Sequence, residues 1–352
     1  MRPQAQGVAS CEEKLDALQQ KLAESVGNLV TGDDWKRAME FAARFRTRSF
    51  NNTLLISVQH AAAFEEGRVP GPAPSYVAGF KQWLSLGRHV MKGQSGYAIL
   101  APVTARFASS TLAGAESWRR LGHGETAKPG EVVRTRLVGL RPAHVWDLSQ
   151  TDGDPVPEPP HPALLQGKAP EGLWDGLADQ ITSHGFDLRL VSHAEAIGGA
   201  NGLTDYTTRD VSVRMDMDDA AQVKTLAHEL GHVMLHGPDN ADAAMHRGIA
   251  EVEAESVALM VGAGHGLATD AYTVPYVATW AGSVPGRSPV EVVQSTAERV
   301  RRAAVSILDR LETHQVGSGD PPGLDRAALT SRHSVAPAGA PVRRQPSEVL
   351  GR

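Results

Sequence analysis

Apolar side chains recur along the first part of the chain at three- and four-residue intervals. From Glu12 to about Val30 they fall at Leu15, Leu18, Leu22, Val26 and Leu29, one face of a helix. Asp33–Arg48 repeats the pattern with Trp35, Met39, Ala42 and Phe45, and Asp33 or Asp34 can cap its start. Asn51–Ala63 predicts a third helix around Leu54, Leu55 and Val58. Proline and glycine between Arg68 and Ser75 predict a loop. Phe80–Leu86 reads as a short helix carrying Lys81 and Trp83, and strands are expected over Gly96–Pro102, Val132–Val138 and His144–Asp147.

Between Asp152 and Pro170 stand Pro155, Pro157, Pro159, Pro160, Pro162 and Pro170, a composition that suits an extended linker. Beyond it the pattern predicts a helix at Leu173–His184 and a strand at Phe186–Val191. Tyr206 and Val211–Met215 predict a hairpin, and helices follow at Asp219–His236, Ile249–Val261 and Pro289–Glu312. From Val316 the chain is rich in Gly, Pro, Ser, Ala and Arg without periodicity, which predicts a disordered tail. The expected organisation is an N-terminal helix over 1–32, a domain over 33–152, a linker over 153–171, a second domain over 172–315 and a tail over 316–352. The fold class is α+β.

Charge changes this picture. The formal net charge of the 352-residue chain is −5, yet residues 31–150 hold 16 Lys/Arg against 9 Asp/Glu, a net of +7. Residues 151–352 carry −11. A basic front half is the electrostatic footprint expected of a protein that meets a polyanion. The single cysteine, Cys11, excludes an internal disulfide framework and a zinc site made of cysteines alone. The N-terminal residues contain no apolar signal core, and no run of about 18 apolar residues occurs. A cytoplasmic protein with no membrane span is therefore expected.

The sharpest chemical signal is His228-Glu229-Leu230-Gly231-His232. On a helix, residues four apart share a face, so both imidazoles can reach one Zn²⁺. Glu229 lies beside that face and can serve as general base towards a metal-bound water. Val223, Leu226, Leu230 and Val233 form the buried face, Asp219 with Gln222 resembles a capping box, and Gly237-Pro238 stops the helix. A metzincin would need glycine and histidine where Leu235 and Pro238 stand, so that class is excluded. His236 reads as a partner of the helix dipole rather than a ligand.

A third ligand is sought in Glu251-Val-Glu253-Ala-Glu255, on a second and mostly apolar helix. Glu251 and Glu255 share a face. Glu251 is assigned as the ligand, and Glu255 as acceptor of a hydrogen bond from a ligating imidazole. Glu253 points elsewhere and is the alternative ligand. Tyr206, His246 and Tyr272 are unranked candidates for a donor to the transition state.

With these residues the back half, over about 173–265, resembles the ImmA/IrrE-type zinc metallopeptidases, which pair an H-E-L-G-H helix with an E-x-E-A-[N/D]-x-x-A helix. Glu255 stands where that family usually has Asn or Asp. The resemblance implies a zincin-like, gluzincin-type domain with a small antiparallel sheet, and a protein substrate. The front half, over about 33–152, resembles the single-stranded-DNA-binding domain of ArdC-type antirestriction proteins. The matching stretches begin at Arg48-Ser-Phe-Asn-Asn, at Phe80-Lys-Gln-Trp and at Val145-Trp-Asp-Leu. That resemblance implies single-stranded DNA as partner and a mobile-element context.

Single-strand binding needs a basic track and flat groups for stacking. Arg48, Asn51, Asn52, Lys81, Trp83, Arg88 and Lys92 are the candidate DNA-binding residues. Taken alone, the aromatics Trp83 and Phe80 read first as core residues, and it is the basic cluster around them that favours binding. Two functions result: a zinc metallopeptidase joined to a single-strand-binding domain, or a non-catalytic DNA-protecting protein whose zinc is only structural.

Overall fold

The structure, a computed structural model, describes residues 3–29, 31–111, 117–122, 124–156, 167–237, 247–268, 284 and 286–324. It divides into two compact units. One is drawn from the stretches up to Ala101 and from Arg141 to Pro322, the other chiefly from Pro102–Leu140.

In the larger unit, α1 (Pro3–Gly27) buries Leu18, Leu22 and Val26. Helix α2 (Gly32–Arg44) starts at a capping box, slightly earlier than the sequence pattern implies. Thr31 is its N-cap, its hydroxyl accepting from the Asp34 N–H, while Asp34 reaches back to the Thr31 N–H at 2.9 Å. The helix ends at Arg44 rather than Arg48, and α3 (Phe50–Glu65) begins anew at the Ser49 cap. Strand β1 (Val77–Gly79), α4 (Phe80–Ser85) and β2 (Arg88–Val90) follow.

Strands β3 (Tyr97–Ser109) and β5 (Val132–Asp147) flank β4 (Arg119–Arg120) in sequence. The sheet order is β1-β5-β3-β4, with Val77 opposite Asp147 and Phe107 opposite Arg120. The unit boundary falls inside β3 and β5. Strand β6 (Thr151–Gly153) pairs antiparallel with β2. In the smaller unit, every residue from Val132 to Leu140 is exposed, so that part of β5 is not buried on either face.

The back half contributes α5 (Leu173–Ser183), β7 (Asp187–Val191), β8 (Gly202–Asp205), β9 (Asp210–Arg214), α6 (Asp219–Leu235), α7 (Arg247–Gly264) and α8 (Pro289–Leu308). The expected hairpin is β8–β9. The sheet is nonetheless mixed rather than antiparallel, because β7 lies parallel to β9 with Asp187 opposite Asp210. Asp218, not Asp219, caps α6, and the Gln222 amide instead donates to the Met215 and Met217 carbonyls.

The expected separation of front and back domains is not what the core shows. Trp35, Met39, Phe50 and Leu55 from the front lie in one apolar cluster with Leu226, Leu230, Val257, Met260, Val300 and Ile307 from the back. The reason is the composition of α7. Val252, Ala254, Val257, Ala258, Leu259, Met260 and Val261 are all buried, and a helix apolar on most sides, apart from its glutamates, needs partners on most sides. Helix α6 covers one face, and α2 and α8 cover the others. Trp35 Nε1 donates to Ser256 Oγ at 2.7 Å between α2 and α7. The start of the expected tail is ordered against the rest of the chain. Val316 N–H donates to the Gly264 carbonyl, and the Gly319 carbonyl accepts from Val77 N–H, so 316–322 belong to the larger unit. Residues 325–352 lie outside the described residues, as do 157–166 of the expected linker.

Candidate metal centre and nucleic-acid surface

Helix α6 presents His228 and His232 on one face, four residues apart. Gly231, on the adjoining face, sets how near α7 comes. A Cβ there would lie 3.1 Å from Ala254 Cα and 3.3 Å from Val257 Cβ. This close approach brings the Glu251 and Glu255 carboxylates to the imidazoles. His228 Nε2 is 3.1 Å from His232 Nε2 and 3.5 Å from Glu251 Oε2, and His232 Nε2 is 3.8 Å from Glu251 Oε1. One ligand atom from each of the three lies within 4.8 Å of the others. Two imidazole nitrogens and a carboxylate are a donor set suited to Zn²⁺ and other first-row divalent ions. The residues assigned from sequence as His228, His232 and Glu251 are thus together, and the donor set fits a divalent ion.

Glu255 stands behind His228, its Oε2 3.2 Å from His228 Nδ1, while its Oε1 accepts from Lys224 Nζ at 2.8 Å. Glu253, the alternative ligand, lies outside the His228–His232–Glu251 group. It accepts from Arg299 and from the buried His236, on the far side of His232.

Glu229 is buried, and Thr204 Oγ1 on β8 donates to its Oε2 at 2.7 Å. Its Oε1 lies over Gly202, where a Cβ would come within 2.5 Å of it, so only glycine leaves the carboxylate in place. A pocket of about 450 Å³ opens here, lined among others by Asn201, Gly202, Lys224, His228, Glu229 and Glu251. The Glu251 side chain on its wall is 50% exposed.

The electrostatics follow from this packing. Burial opposes charge on His228, but hydrogen bonds to Glu251 and Glu255, with the nearby Glu229 charge, outweigh it and hold the imidazole up to about 9. Hydrogen bonds to His228 and His232 keep the Glu251 carboxyl well below the usual carboxylate range. Burial pushes the Glu229 carboxyl up, against the His228 charge and the Thr204 hydrogen bond. Tyr206 is pushed up to about 12 by burial and by the Glu229 and Glu251 charges. Its hydroxyl donates to the His232 carbonyl at 2.8 Å, so it braces the last turn of α6 rather than pointing a proton at the pocket. His246 and Tyr272 lie outside the described residues.

The candidate DNA residues fare differently. Arg48 is buried, donates to the Val77 carbonyl and lies 3.6 Å from Asp320. Asn52 holds both backbone groups of Leu100, joining α3 to β3. Trp83 is fully buried and donates to the Trp146 carbonyl. Arg88 is buried and binds Thr151, Gly153 and Asp154 at the β2–β6 pair. These four stabilise the fold instead of presenting a surface. Asn51 is half-buried, and Lys81 and Lys92 are exposed.

Exposed cations with flat partners occur instead in the smaller unit. Arg134 and Arg136 are two residues apart on β5 and so share a face. Both guanidiniums lie 4.9 Å from the centre of the Trp118 ring, and Arg136 also lies 5.6 Å from that of Phe107. Arg106 and Arg120 are exposed nearby in sequence, whereas Arg119 is tied to Glu125 and Glu131. The signal in the sequence is the alternation Arg134-Thr-Arg136 within a stretch that itself reads as a strand.

Residues 15–139 match the sequence model of the family described as the N-terminal domain of anti-restriction factor ArdC. The front of the chain is ArdC-like. The His228–His232–Glu251 group lies beyond the matched residues. No curated protein matches the chain. Among solved structures, the metal-free antirestriction ArdC protein from the R388 plasmid is 20% identical, with a TM-score of 0.46, over 75% of this chain and 84% of that one. The Mn(II)-bound form of that protein is 18% identical, with a TM-score of 0.40, over 75% of this chain and 88% of that one. No helix among the described residues is long and apolar enough to cross a membrane.

Proposed function

We propose that this chain is an ArdC-like antirestriction protein of mobile-element origin, whose front binds single-stranded DNA and whose back carries a divalent-metal centre. The match of residues 15–139 to the ArdC N-terminal domain is the observation that carries this reading. DNA contact is assigned to the strip of Arg134, Arg136 and Trp118, which offers charge for phosphates and a ring for stacking. The metal is Zn²⁺, held by His228, His232 and Glu251. The test is binding of a labelled single strand to the full chain over a range of salt. Micromolar or tighter affinity at low salt that falls as salt rises is expected. No binding at low salt would remove the DNA reading.

A second reading, a metal-dependent peptidase acting on a protein substrate, is favoured by Glu229. When bound, a divalent ion supplies Lewis acidity and lowers the pKa of a water molecule in its coordination sphere. Glu229, raised by burial and oriented by the Thr204 hydrogen bond, is then the base beside the pocket. A set of three protein ligands, two of which (His228 and Glu251) line an open pocket, also differs from a purely structural zinc site, which four ligands normally close. Glu229→Gln separates the readings. DNA protection that survives with metal retained favours the non-catalytic role, and proteolysis that disappears with metal retained favours the peptidase.

A further inference from the structure

Behind His232, away from the pocket, runs a second chain of polar groups. His232 Nδ1 lies 2.9 Å from His236 Nδ1. His236 Nε2 lies 2.9 Å from Glu253 Oε2. Glu253 Oε1 accepts from Arg299 Nε at 2.8 Å and from Arg299 Nη2. The His236 and Glu253 side chains are 4% and 3% exposed, too little for water to replace these partners. Three elements build the chain: the end of α6, the middle of α7 and the middle of α8.

The hydrogens on this chain can be placed from its far end. Glu253 Oε1 already takes both Arg299 donors, and its Oε2 accepts from His236 Nε2, so that nitrogen carries a hydrogen. The pair of facing Nδ1 atoms needs one hydrogen between them. If His236 supplied it, that ring would need hydrogens on both nitrogens. If His232 supplies it, each ring carries one hydrogen and every acceptor meets a donor. His232 then keeps a bare Nε2, the atom that faces His228 and Glu251.

We propose that His236, Glu253 and Arg299 form a tautomer lock on His232, fixing its hydrogen on Nδ1 and its lone pair on Nε2 towards the metal. His236 and Glu253 are positioning residues, not ligands. The two metal-binding imidazoles are thus held by different devices: His228 directly by a carboxylate, and His232 through an intervening imidazole. This proposal rests on the divalent-metal reading of His228, His232 and Glu251. It also explains two features that the metal motif leaves idle, the histidine one turn past His232 and the middle carboxylate of Glu251-Val-Glu253-Ala-Glu255.

The test uses the full chain with ¹⁵N-labelled histidine. Long-range ¹H–¹⁵N spectra of the metal-free protein report the tautomer of His232, and Zn²⁺ titration against a chromogenic chelator reports affinity. The wild type should show the Nδ1–H tautomer. His236→Phe, which fills the space but accepts nothing, should give mixed tautomers and a roughly 10- to 100-fold loss of Zn²⁺ affinity. His236→Gln, whose side-chain carbonyl can accept, should recover much of both. Glu253→Gln serves as an independent variant should His236→Phe fail to fold. A folded His236→Phe protein with the wild-type tautomer and Zn²⁺ affinity within about twofold would overturn the lock. A wild type that takes up no Zn²⁺ would instead overturn the metal reading, while the spectra of the metal-free chain would still decide the lock.

Discussion

Gly231 and Gly202 illustrate how single residues place the metal cluster. A Cβ on Gly231 would press on the α7 backbone at Ala254, and one on Gly202 would displace the Glu229 carboxylate. Gly231→Ala should therefore lower stability by about 1–3 kcal/mol in chemical denaturation, as overpacking does, and weaken Zn²⁺ binding with it. Unchanged stability would mean that the two helices have room to spare. Glu229→Gln should leave Zn²⁺ stoichiometry intact while lowering any metal-dependent hydrolysis by roughly 10²- to 10⁴-fold. At this scale much is legible in the sequence. The spacing of His228, His232, Glu251 and Glu255 follows from helical periodicity alone, and the structure brings these residues together. Glu253, His236 and Thr204 are not legible there as positioning groups. Their partners come from other elements, and no local pattern announces that Arg299 will pair with a residue 46 positions earlier.

Elements carry the next set of consequences. The candidate DNA residues around Arg48 and Lys81–Lys92 stand out for charge and aromaticity, but composition does not say which side of an element is buried. Arg48, Trp83 and Arg88 are needed inside, where their polar atoms meet backbone carbonyls. The exposed strip on β5 carries the DNA prediction instead. Arg134→Ala with Arg136→Ala should weaken single-strand binding and reduce the salt slope by about 0.7 for each phosphate that is no longer neutralised. Lys81→Ala with Lys92→Ala should have the smaller effect in the same anisotropy titration. The reverse order would place the interface near α4. The end of α7 gives a pH prediction. His265 is fully buried, its Nδ1–H donating to the Val261 carbonyl and its Nε2 accepting from Thr313. Burial holds its imidazole below the ordinary range, against the pull of the Val261 carbonyl and with help from Arg46 and His314. The folded state favours the neutral ring, so this contribution is complete above the unfolded value near 6.5 and is lost as pH falls below it. Urea melts between about pH 7.5 and 5.5 should show it, and His265→Gln should flatten the slope by up to about 1.4 kcal/mol per pH unit.

For the molecule as a whole, the shared core is the main departure from the sequence reading. Proline-rich composition at 153–171 suggests an extended linker, but it does not mark where the core divides. The largely apolar character of α7 is visible in the sequence. That its extra faces are covered by α2, which precedes it by about 200 residues, is not, because no periodicity records which element will cover a face. Truncating Trp35 should therefore unfold front and back together. Trp35→Ala is expected to cost about 3–5 kcal/mol and to preserve a single transition, read by fluorescence and far-ultraviolet dichroism alike. A fragment of residues 31–152 should lack a cooperative melt, since the α2 stripe would face water. Metal content of the purified full chain, beside a His228→Ala/His232→Ala double variant, decides whether His228, His232 and Glu251 hold an ion. About one Zn²⁺ per chain, absent from the variant, is expected. A wild type free of divalent metal at neutral pH, purified without chelators, would contradict it.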